Sequence, residues 1–132
     1  LPFKERFLYL STVVLKYLVR NPVLFLFVEQ FLSSPYSIRV RGRLLGKAGE
    51  FDFFRMFFQE GISGRMLKDL PVLMHFALAF GPAISLCRDH IRGFVHLDDA
   101  MILKAAEACW DAIQQSQDGK QQMISRQKMI SA

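Results

Sequence analysis

Between Asp69 and Ile113 the chain reads as two apolar helices back to back, and no other feature constrains the fold as strongly. Leu73, Ala77, Phe80, Ile84, Cys87 and Ile91 recur at alternating steps of four and three, a heptad-like seam. Gly93 closes the first helix, and Asp98 or Asp99 opens the second. Ile102, Ala105, Ala106, Cys109 and Ile113 then fall on one face. Each helix carries more apolar surface than a single core-facing stripe needs. A short chain seldom leaves such surface wet, so the pair is expected to meet a second copy of itself.

The remaining chain is also helical in pattern. Phe3, Phe7, Leu10, Val14, Tyr17 and Leu18 mark one face of a helix from Phe3 to Val19. Asn21 and Pro22 suit the cap and first position of a second helix, which runs to about Leu32, so the two should meet at a sharp corner. A longer helix is expected from Ser37 to Gln59, basic at first (Arg39 to Lys47) and then aromatic, with Gly42, Gly46 and Gly49 weakening its middle. Gly61-Ile62-Ser63-Gly64 reads as a turn, and Arg65 to Lys68 as a short helical turn. Asp69 is the expected cap of the long helix, and Pro82 within it should impose a kink. Period-two alternation and hairpin signals are missing from the sequence. The expectation is an all-α domain of five main helices, with the last two meeting a second copy. Beyond Ser116 the chain turns polar.

The length of 132 residues suits one domain with a real core. Thirteen phenylalanines exceed what an ordinary core requires and point to a roomy apolar chamber. Phe25, on the second helix, and Phe54, Phe58 and Phe76 further on are candidate lining residues. Tyr17, Glu29 and His75 are candidate polar groups beside them, the composition of a small-molecule site. The reading that competes is a chamber filled by its own Phe rings. The net charge of +5 includes the basic run, but Glu50 and Asp52 blunt its field, and no aromatics interleave it as in a nucleic-acid surface.

Catalytic and metal chemistry find little support. His75, His90 and His96 form no zinc-type spacing, and His90 and His96 read as exposed helix-end residues. Ser63 lacks the strand that precedes a nucleophile elbow. No metal, no cofactor and no enzymatic activity is expected. Cys87 and Cys109 read as buried thiols in a cytoplasmic protein. Lys16 and the Arg20-Asn21-Pro22 break interrupt the apolar N-terminal third, which argues against stable membrane insertion. The same apolar third with its basic patch leaves a membrane-surface or lipid-binding helical module as the alternative.

The order of these signals resembles a known family. The carriers are the Asn21-Pro22 corner, Gly-Ile-Ser-Gly at 61–64, Asp69-Leu70-Pro71 and Phe80-Gly81-Pro82, followed by Gly93, Leu97-Asp98-Asp99 and Cys109-Trp110-Asp111-Ala112-Ile113. Together they are similar to the C-terminal effector-binding and dimerisation domain of TetR/AcrR-type bacterial transcriptional regulators. The resemblance implies a ligand-binding and dimerisation domain over 1–117 and a polar tail over 118–132. It implies an all-α fold whose last two helices form a four-helix bundle across a homodimer interface, through Leu73, Ala77, Phe80 and Ile84 of one helix and Ile102, Ala105, Cys109 and Ile113 of the next. It also implies a small hydrophobic effector and a regulatory role, expected to be repression. An N-terminal helix-turn-helix domain, expected to lie outside this chain, would supply operator binding, and the helix from Pro2 to Val19 would be its connector.

Overall fold

A computed structural model describes residues 1–39, 52–116 and 126–131. Among them the chain is helical, and its only β-type pairing is an isolated bridge between Leu67 and Gln114. The main elements are α1 (Phe3–Arg20), α2 (Pro22–Leu32), α3 (Asp52–Ser63), α4 (Val72–Ile91) and α5 (Asp99–Ile113). Short helical stretches occupy 36–39 and 126–131. The centre of the expected Ser37–Gln59 helix, including Gly42, Gly46, Gly49 and most of the basic run, lies outside the described residues.

α1 is the spine of the domain. Its buried residues are Phe3, Phe7, Ser11, Leu15 and Leu18. The core-facing stripe is therefore rotated from the expected one: Leu10 and Val14 sit at its margin and Tyr17 faces out. Apolarity misled here because a serine occupies the centre of the buried row. The corner after α1 turns the chain by 107°. Asn21 does not cap α2 with its side chain. Its Nδ2 donates instead to the Tyr17 carbonyl at 2.7 Å, satisfying an open end of α1. No single described helix is long and apolar enough to cross a membrane.

α3 ends later than its glycines suggested. The helix runs through Gly61 to Ser63, and the turn falls on Gly64, Arg65 and Met66. The Met66 N–H donates to the Gly61 carbonyl and the Arg65 N–H to that of Ile62, which is the Schellman pattern. Arg65 takes the left-handed position with φ 59°, a place glycine usually fills. The expected helical turn at 65–68 is replaced by an extended strap. Gly61 itself is required by packing: a Cβ there would lie 2.6 Å from Leu67 Cδ1 and 2.7 Å from Phe3 Cζ.

The strap ties α3 to the end of α5. The Lys68 N–H donates to the Ile113 carbonyl and the Gln115 N–H to that of Met66, both at 2.9 Å. Lys68 Nζ donates to the Ala112 carbonyl at 2.8 Å, placing a cation at the helix C-terminus where the dipole favours it. Asp69 is exposed and caps nothing: Pro71 holds the cap position of α4 with no side-chain bond. α4 continues through Pro82 to Ile91, and Gly93 (φ 82°) closes it in a second Schellman turn. Asp98 caps α5 as expected, accepting from the Met101 N–H at 2.8 Å. The loop before it leans on His90, whose Nδ1 accepts the Leu97 N–H at 3.0 Å; this histidine is half-buried rather than exposed.

Two apolar cores share α1. The first gathers Phe3 and Phe7 with Phe57, Phe58, Phe80 and Trp110. The second gathers Leu15 and Leu18 with Phe25, Cys87, Leu97 and Ile102. Surface ion pairs hold α1 near both ends: Arg6 to Glu60 of α3 at 2.5 Å, and Lys16 and Arg20 to Asp99 of α5 at 3.9 and 3.6 Å. The hydrogen bond from Arg6 holds the Glu60 carboxyl below its usual range.

Candidate functional site: the groove along α4

Along α4, one i, i+3/i+4 row opens as a groove of about 280 Å³, at the small end of the range for small-molecule pockets. Its floor is Leu73, Phe76, Ala77, Phe80 and Ile84, and Leu32 at the end of α2 closes one side. Gly81, Ser85 and Arg88 continue the row. At the Phe76 end, Phe54 of α3 stands edge-on to Phe76 and Phe80, with ring centroids 5.8 and 5.7 Å apart. At the other end Arg88 Nε donates to Glu29 Oε1, joining α4 to α2. Glu29 is the single charged residue in a helix whose one other polar side chain is Gln30. The pairing explains how such a helix tolerates it.

The residues expected to line a pocket separate into three groups. Phe76 lines the groove, Phe54 braces it, and Glu29 holds Arg88 at its end. Phe25 and Phe58 are 1% exposed and belong to the second and first cores, so both are structural. His75 is fully buried among them, stacked on Phe58 at 6.0 Å, with Nε2 2.7 Å from the Lys68 carbonyl and Nδ1 without a partner among the described residues. Its work is to anchor the strap to α4. Tyr17 is 59% exposed and takes no part in the groove. Arg88, Ser85 and Gly81 escaped the sequence reading. They continue the Leu73–Ala77–Phe80–Ile84 rows by three- and four-residue steps, so the signal was present, but a search for apolar positions stops short of them.

The seam expected to face a second copy needs the same correction. Ile102, Cys109 and Ile113 are at most 4% exposed and are packed inside the protomer. Phe80 is likewise a core residue, and Ala105 is half-buried against the second core. Leu73, Ala77 and Ile84 form the groove floor. Four of these eight side chains thus have little surface left to give a partner. The outer faces of the two helices instead present Met74, Met101, Leu103 and Ala108.

Burial fixes the thiol chemistry. Desolvation, aided by the charge of Glu29, pushes the Cys87 thiol up to about 11, and desolvation also raises Cys109. Neither is an activated nucleophile. Ser63 is the exposed last residue of α3 and has no elbow geometry. Among the described residues no group of three or more His, Cys, Asp or Glu side chains is placed to hold a metal.

Among the described residues the elements are helices, and an apolar groove runs along the longest of them. A family model described as the tetracyclin repressor-like C-terminal domain matches residues 2–114. The chain belongs to this family. No curated protein and no solved structure matches the chain.

Proposed function

We propose that this chain is the effector-sensing and dimerisation domain of a TetR-like transcriptional regulator, acting as a repressor, with a small hydrophobic effector bound along α4. Family membership supports the regulatory role. The observation that carries the sensing role is the position of Phe80. Its ring forms part of the groove wall and belongs to the same core as Phe3 and Phe7 of α1. A molecule that repacks Phe80 therefore repacks the bed of α1, the helix that would lead to the DNA-reading segment. Two recognition helices must sit about 34–36 Å apart to read successive turns of DNA. An effector that binds one α1 position better than the other shifts that spacing through differential affinity.

The homodimer in this reading forms through the outward faces of α4 and α5. The switch is tested in the protein that carries this chain together with its DNA-reading segment. Saturating effector, identified by native mass spectrometry of co-purified molecules, is expected to change operator affinity at least tenfold. Phe76→Ala is expected to weaken effector binding while leaving the oligomer intact. Unchanged operator affinity contradicts the switch.

A second reading rests on α2, which leaves Val23, Leu26 and Phe27 more than half exposed on one face. A membrane-surface module would bury that face in lipid. Tight, salt-sensitive co-sedimentation with anionic vesicles would favour it.

A further inference from the structure

We propose that the α4 groove selects an uncharged apolar molecule ending in a hydrogen-bond acceptor, such as a ketone or ester, and that the Glu29–Arg88 pair makes that choice. The inference rests on the reading of the groove as the effector site and adds the ligand's chemical class.

Among the described residues the groove is apolar from Leu73 to Ile84, and polar side chains enter at Ser85 and Arg88. Arg88 is 38% exposed in its side chain and Glu29 only 20%, and Glu29 does not line the groove. The carboxylate therefore acts from behind. It takes the Nε–H and cancels the guanidinium charge. Nη1 and Nη2 bond to no described residue, so they remain as donors at the groove end.

Such an end offers directed N–H groups without a net field. A carbonyl oxygen satisfies them and leaves the ion pair whole. A carboxylate head would stand as a second anion close to Glu29, and like charges that near each other repel. An ammonium head would meet the guanidinium. Polar groups in apolar chambers fix orientation and class in this way, while the apolar walls contribute most of the burial.

The test uses the intact chain and three ten-carbon probes that differ only at the head: 2-decanone, decanoate and decylamine, measured by titration calorimetry. The ketone is expected to bind at least tenfold more tightly than either charged probe. Glu29→Gln exposes the Arg88 charge, so decanoate is expected to gain at least tenfold while the ketone changes little. Arg88→Met is expected to cost the ketone about tenfold. Gly81→Leu fills the groove, since no described atom lies within 4 Å of a Cβ at that position, and is expected to expel all three. Wild-type preference for decanoate or decylamine overturns the proposal, and needs no variant to fold. Ratios unchanged in folded Glu29→Gln also overturn it. If all three probes bind equally and Gly81→Leu expels them, the groove remains the effector site and the charge selection falls. If none binds, or Gly81→Leu makes no difference, the effector-site reading falls and takes this one with it.

Discussion

Arg65 occupies a backbone position that an L side chain enters at a cost, and it does so to close α3. Arg65→Gly is expected to stabilise the domain by about 0.5–1 kcal/mol, because relief of the left-handed strain outweighs the added freedom of the unfolded chain. Thermal melts of the two proteins check this, and a lowered midpoint would mean the Arg65 side chain contributes packing that the backbone argument omits. Cys87 gives a pH dependence. Its folded value of about 11 lies above that of an unfolded thiol, so the stability it contributes is whole below the unfolded value and is lost as pH rises towards 11. Urea melts from pH 8 to 11 should show wild type falling by on the order of 2 kcal/mol more than Cys87→Ala, the equivalent of the shift. Parallel curves would contradict a buried neutral thiol.

At this scale the sequence was only partly legible. Both cysteines were readable as buried, because each sits in an apolar helix without a motif. The left-handed Arg65 was not, because Gly64 stands next to it and glycine is the residue that ordinarily takes a positive φ. His75 was singled out, yet its role is to hold a carbonyl of the strap, a contact seven residues back across a turn that no periodicity encodes.

Among the elements, α1 shows how a hydrophobic pattern can be right in kind and wrong in phase. The stripe exists, but Ser11 lies at its centre, 6% exposed, with an Oγ that has no partner among the described residues. A buried hydroxyl left unbonded costs free energy, and alanine is the better helix former. Ser11→Ala is therefore expected to raise stability by about 1 kcal/mol. Denaturant melts measure it, and a loss of stability would show that the hydroxyl is satisfied in solution. α4 was the element best read in advance. Its closing Gly93 turn formed as expected, whereas Asp69 does not cap it, and its seam residues divide between the protomer core and the groove. Four seam positions, with Phe76, floor a groove because α2 and α3 stand beside it at Leu32 and Phe54, and sequence spacing says nothing about which neighbour a helix face meets. Gly81 lies on that same row, in mid-helix, with nothing described near its absent Cβ. Helix propensity alone disfavours it there by about 1 kcal/mol relative to alanine.

On the scale of the whole molecule, α1 joins two cores and is pinned near both ends by ion pairs, while α4 and α5 are half inside the protomer and half outside it. The all-α class and the placement of the last two helices were legible because long amphipathic periods survive in any context. The division of their residues between protomer core and outward face was not, because both faces are apolar and only the packing of α1 distinguishes them. Dimerisation through α4 and α5 is the claim on which the regulator account depends, since a lone subunit has no second recognition helix to space. Sedimentation equilibrium at micromolar concentration tests it directly. The account expects a species of twice the 15.2 kDa chain mass, reduced to a folded single subunit by Ala108→Arg on the outward face of α5. A well-folded wild-type protein sedimenting at 15.2 kDa would contradict it.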